Sequence, residues 1–155
     1  MALIEDQDYV IVRRAALFDG SRFNQQAGNM IATKNRVIFN VIDHADGMAK
    51  MSGLGEGSIK DSWQESKDEF AKLKLFGKYA DEVRKIGSEC SSLQDFETKV
   101  EAMFIENPIS FSILNSDIAK VKTGIFAGLQ ITMSSGKVYK FGPQGKGKVK
   151  RMIGK

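Results

Sequence analysis

Very short turns join β-type segments near both ends of this chain, and a connection of a few residues can only reverse a strand into an antiparallel partner. Met30-Ile31-Ala32-Thr33 leads through Lys34-Asn35 towards Val37-Ile38-Phe39-Asn40-Val41-Ile42. Leu129-Gln130-Ile131-Thr132-Met133 alternates apolar with polar residues, Ser134-Ser135-Gly136-Lys137 turns, and Val138-Tyr139-Lys140-Phe141 returns. These hairpins argue against a parallel α/β sheet, whose strands need long crossovers. Tyr9-Val10-Ile11-Val12, continuing to Leu17-Phe18 and an Asp19-Gly20 turn signal, adds a first strand. Ile109, Phe111 and Ile113 alternate with polar residues as a half-buried strand does, and Ile118, Val121, Ile125 and Phe126 suggest one more.

The middle of the chain reads differently. Residues 43–60, with Gly47, Gly53, Gly55 and Gly57, show little apolar periodicity and read as a loop. Ser62 and Glu65 have capping-box spacing, and Trp63, Phe70, Leu73, Phe76, Tyr79, Ala80, Val83 and Ile86 then recur as one helical stripe that Gly87-Ser88 should end. Ser92 and Asp95 open a second helix whose inner face is Leu93, Phe96, Val100, Met103 and Phe104, stopped by Asn107-Pro108. So short a connection predicts an antiparallel helical hairpin. The expected fold is therefore α+β: an antiparallel β-barrel or strongly bent sheet, with a helical insertion at about 61–106 and a basic tail at 142–155, all in one domain of residues 1–155.

Charge is distributed unevenly. All 19 acids lie at or before Asp117, whereas nine of the 23 cations follow it, so residues 1–117 carry a balance of −5 within a chain of net charge +4. A one-signed end attracts anionic partners. Lys137, Lys140, Lys146, Lys148, Lys150, Arg151 and Lys155 are the candidate binding residues for an anionic lipid surface or an acidic protein. The equally plain alternative is a solubilising, partly ordered terminus. Nucleic acid is disfavoured, because the tail interleaves no aromatic residue for base stacking.

Patterns that could carry chemistry are incomplete. Gly142-Pro143-Gln144-Gly145-Lys146-Gly147-Lys148 has phosphate-loop spacing, but Val149 stands where the magnesium-binding hydroxyl is needed and too little chain follows for the usual helix. The glycines at 53, 55 and 57 lack dinucleotide-fingerprint spacing. Asp43-His44-Ala45-Asp46 gathers ligand types around the single histidine, without a second histidine or a calcium-loop pattern, and reads as a solvated turn. Cys90 is the single cysteine, excluding an intramolecular disulfide, and its acidic neighbours disfavour a thiolate. The acids at 81–82 and 95–101 alternate with lysines as a solvated helix face does. No cofactor, metal or catalytic group is expected, and an enzyme of unrecognised class is the alternative reading.

Gly28-Asn29-Met30-Ile31-Ala32-Thr33-Lys34-Asn35-Arg36-Val37-Ile38-Phe39 resembles a segment common in bacterial pleckstrin-homology-like and GRAM domains. Ser116-Asp117-Ile118-Ala119-Lys120-Val121 and the Leu129–Phe141 hairpin are similar to later strands of that family, in the same order. The resemblance implies a small bent antiparallel barrel that binds phosphoinositides, peptides or proteins rather than catalysing a reaction. Two departures stand against it: the helical insertion, and a C-terminus with only Val149, Met152 and Ile153 as apolar residues, where the family has an amphipathic helix. The helical hairpin is expected to cap the barrel in its place, and it also offers a surface for self-association. No apolar run is long enough to span a bilayer, and MALIEDQDYV carries acids where a secretory leader needs positive charge. With one cysteine, this suggests a cytoplasmic protein, peripheral to a membrane if bound to one.

Overall fold

The computed structural model describes residues 2–18, 24–46, 59–104, 110–124 and 128–155, and the side chains of these except at 14, 24–25, 43–46 and 59–73. Strands β1 (Tyr9–Phe18), β2 (Asn24–Thr33) and β3 (Arg36–Asp46) form a meander. Helices α1 (Ile59–Glu89) and α2 (Leu93–Phe104) follow. Then come β4 (Phe111–Leu114), a 3₁₀ turn at Asn115–Asp117, β5 (Ile118–Thr123), β6 (Leu129–Met133), β7 (Val138–Phe141) and α3 (Lys146–Ile153). Among the described residues all strand pairs are antiparallel, in one seven-stranded sheet ordered β4-β3-β2-β1-β7-β6-β5. The expected α+β class with an antiparallel sheet is present.

A closed barrel is not. β4 and β5 are the two ends of the sheet and do not pair with each other. The sheet nevertheless folds over one core. Phe111 on β4 stacks on Tyr139 of β7 with ring centroids 5.2 Å apart, although three strands separate β4 from β7. Phe39 meets both Phe111 and Phe141, at 5.5 and 5.4 Å. Register shifts between Val12 and Ala15 and between Ala27 and Gly28 supply local bends. At the second, β2 and β3 approach so closely that a Cβ on Gly28 would lie 1.9 Å from the Asn40 carbonyl oxygen, so only glycine fits.

Inside the bend, Val10, Val12, Met30, Val37 and Phe39 face Ile118, Val121, Leu129, Ile131 and Phe141. Val149 and Ile153 of α3 complete this core, with Val149 fully buried. The C-terminus is therefore not the partly ordered tail expected of it. Its two buried residues stand four apart on one helix face, and burial fixes a helix that propensity alone would not.

The helical hairpin does not cap the concave side. The described part of its apolar stripe packs on the opposite face of β1–β3, where Val83, Cys90, Phe96, Val100 and Phe104 bury Tyr9, Ile31 and Ile38. Tyr9 stacks on Phe96 at 4.6 Å. Those apolar residues are thus committed within the chain rather than left for self-association.

Glu97 corrects the reading of 95–101 as a wholly solvated face. It is 3% exposed, accepts a hydrogen bond from the Thr33 hydroxyl and lies 3.4 Å from Arg36 Nε, while Arg36 also pairs with Glu101. The β2–β3 turn is clamped to α2 by charge as well as by apolar contact.

Several boundaries differ from expectation. α1 begins at Ile59, so Ser62 lies within the helix rather than capping it, and the helix runs past Gly87-Ser88 to Glu89. The cap of α2 is as expected: Ser92 Oγ accepts the Asp95 amide at 3.2 Å. β3 takes up the first residues of the expected loop, setting His44 opposite Gln26 in a strand rather than a turn. Gly47, Gly53, Gly55, Gly57, Asp19-Gly20, Asn107-Pro108-Ile109 and Ile125-Phe126 lie outside the described residues.

The seat of α3 can be checked by urea denaturation. Ile153→Ala should cost about 2–5 kcal/mol, whereas Arg151→Ala on the exposed side should stay within about 0.5 kcal/mol. Two neutral substitutions would instead restore the picture of an unstructured tail.

Candidate anion-binding face

The strands divide into two kinds by side-chain pattern. β1–β3 bury residues on both faces, so their outer face needs the hairpin. β6 and β7 alternate, sending Leu129, Ile131 and Phe141 inward and Gln130, Thr132, Val138 and Lys140 outward. β5 does the same around a register shift after Ile118, burying Ile118 and Val121 and exposing Lys120 and Lys122. Neither hairpin helix makes a principal contact with β5, β6 or β7. Among the described residues their outer face remains bare.

Register places the outward residues in rows. Lys122 sits opposite Gln130, Gln130 opposite Lys140, and Lys140 opposite Phe18 at the end of β1. The next row is Lys120, Thr132 and Val138. Among the described residues three lysines thus share a face with no acid, and none of the three has a salt bridge. Two apolar side chains stand among them: Phe18 and Val138 are each 41% exposed. Lys122 and Lys140 lie two strand spacings apart, roughly 10 Å at the backbone, where two unit charges in water repel by only about 0.4 kcal/mol. Such a face persists without a partner and remains available to one.

The first row ends in a cavity of about 530 Å³ lined by Phe18, Lys122, Gln130, Lys140 and the glycines at 124, 128 and 142. Gly128 is held against the end of β7, where a Cβ would fall 1.8 Å from the Phe141 carbonyl oxygen. No side chain can therefore stand at position 128 in the cavity wall. A second cleft of about 560 Å³, between α1 and Arg13, mixes Lys74, Lys78 and Lys85 with Asp81 and Glu82 and presents no single sign of charge.

The seven cations expected to bind an anionic partner do not act as one tail. Lys140 belongs to the bare face, and Lys137 lies at the β6–β7 turn, its ammonium 4.9 Å from the centre of the Tyr139 ring. Lys155 is tied to the backbone, donating to the carbonyls of Asn115 and Ile118 at 2.6 and 2.7 Å. Lys146 donates to the Gly124 carbonyl, and Lys148 pairs with Asp6 at 3.4 Å. Lys150 and Arg151 lie on α3, half-buried and exposed respectively. Lys120 and Lys122 were not among the expected residues. Alternation about Val121 turns both outward, but the irregularity after Ile118 that lets Ile118 and Val121 be buried together, and the strands lying beside them, are not readable from those residues.

The incomplete chemical patterns stay incomplete, with one change. The phosphate-loop lookalike follows the Val138–Phe141 strand, as expected, and leads into a helix, contrary to expectation, but α3 starts at Lys146, inside the pattern, and Lys146 is turned to Gly124. Among the described residues no three metal-ligating side chains cluster, and the side chain of His44 lies outside them. Cys90 is buried, and burial together with a hydrogen bond to Asp95 pushes its thiol above the ordinary range. No helix among the described residues is long and apolar enough to cross a membrane.

Because the Cys90 thiolate is disfavoured and covered, aromatic-disulfide labelling at pH 8 should run at least about a hundredfold slower in the native protein than in urea. Native labelling at the denatured rate would contradict its burial. No protein-family model, curated protein or solved structure matches this chain.

Proposed function

We propose that this protein is a non-enzymatic binding module of pleckstrin-homology-like architecture that docks on anionic membrane surfaces through the outer face of β5–β7. The observation that carries this reading is the bare face itself, with Lys120, Lys122 and Lys140 interleaved with exposed Phe18 and Val138 and, among the described residues, with no acid. The architecture is supported by a sheet that bends over one core and by a C-terminal helix seated in that core, in addition to the segments that resemble the family.

Magnitudes favour reversible binding. Near an anionic leaflet each lysine gains about 1 kcal/mol, so three supply about 3 kcal/mol. Burial of the exposed part of Phe18 adds up to about 1.5 kcal/mol, roughly half the value of a fully buried aromatic ring. Charge alone gives weak attachment, and an apolar contact beside it makes the attachment useful. A face with two protruding apolar side chains among lysines suits a lipid interface better than an acidic protein surface, which would leave Phe18 against charge.

Flotation with phosphatidylcholine vesicles, with and without phosphatidylglycerol, tests the proposal. Binding should require the anionic lipid, weaken with salt, and fall at least about tenfold in the triple variant Lys120→Glu/Lys122→Glu/Lys140→Glu. Indifference to vesicle charge, or unchanged binding by the triple variant, would count against it. Retention on polyglutamate without vesicle binding would move the assignment to an acidic protein partner. Oligonucleotide binding that falls steeply with salt would move it to nucleic acid.

A further inference from the structure

Resting on the same face, we infer that the cavity at its glycine-walled end is a selective site for a phosphomonoester carried on an apolar body. Lys122 and Lys140 flank Gln130 on either side in register, so both ammonium groups can lean over the same short amide. Neither lysine has a salt bridge among the described residues, and both line the cavity of about 530 Å³. This is within the size range of small-ligand sites, roughly 300–1,000 Å³. A phosphomonoester carries about −1.5 to −2 charges near neutral pH, which matches two ammonium groups. A phosphodiester or carboxylate carries one and leaves a lysine uncompensated. The Gln130 amide can donate to a third phosphoryl oxygen. Phe18, next in the row and also lining the cavity, offers its exposed ring to the carbon skeleton that bears the phosphate.

The same chemistry occurs in a lipid headgroup ending in a phosphomonoester and in a free phosphorylated metabolite, and the experiment separates them. Flotation compares vesicles containing phosphatidic acid with vesicles of equal charge containing phosphatidylglycerol. Glycerol 3-phosphate and inorganic phosphate are titrated separately by NMR. Phosphatidic acid should be preferred at least about fivefold, and the preference should vanish in Lys122→Met and Lys140→Met while surviving in Lys150→Met. Thermal melts and far-UV spectra confirm that the three variants fold.

Saturable shifts at Lys122, Gln130 and Lys140 with glycerol 3-phosphate would assign the site to free ligands as well. Preference for phosphatidic acid without such shifts would assign it to the membrane. Equal binding to the two lipids, abolished by the triple charge reversal, would overturn the selective site and leave the anionic docking face standing. Absence of binding to either lipid, with no shift from soluble phosphate, would overturn both.

Discussion

Tyr9, Ile31 and Ile38 point to one side of β1–β3, Val10, Met30 and Phe39 to the other, and neither set reaches water. A sheet apolar on both faces must be covered twice. On one side the cover is the α1–α2 hairpin, fastened by the Tyr9–Phe96 stack and by the Thr33–Glu97–Arg36 clamp. On the other it is the rest of the sheet, bent back until Phe39, Phe111, Tyr139 and Phe141 meet, with α3 in the remaining space. β5, β6 and β7 serve as cover and need none on their far side. The bare cationic face therefore follows from how the core is closed.

The corner between β4 and β5 shows what holds that closure. The Asn115 side-chain amide donates to the Thr33 carbonyl at 3.0 Å, its backbone amide donates to the Asn35 carbonyl at 2.8 Å, and its own carbonyl accepts from Lys155. One residue links the β2–β3 turn, the bend between the sheet's two ends and the end of α3. The Thr33 hydroxyl, at the same turn, reaches Glu97 of the hairpin. Both coverings are anchored at one place, and Lys155 has a structural role there.

Much of this was legible in the sequence because it is local. The Lys34-Asn35 and Ser134–Lys137 turns, the alternation of β6 and the Ser92 cap each involve neighbours in the chain, and each formed where expected. What depends on distant partners was not legible. Val149 and Ile153 are too few to announce a helix, and only the cavity they fill makes one. Glu97 looks like a solvated acid until Thr33 and Arg36 are set beside it. The candidate site was half visible, since the excess of C-terminal cations is a property of composition. The pairing of β1 with β7, which puts Phe18 beside Lys140, is long-range, and so is the diversion of Lys146, Lys148 and Lys155 to internal contacts.

The most direct measurement of the central claim is paramagnetic broadening of backbone amides on vesicles doped with a spin-labelled anionic lipid. Broadening should centre on Phe18, Lys120, Lys122, Gln130 and Lys140, leaving α2 and the outer side of β2 and β3 sharp. Broadening centred on the hairpin, or spread evenly over the molecule, would contradict the account.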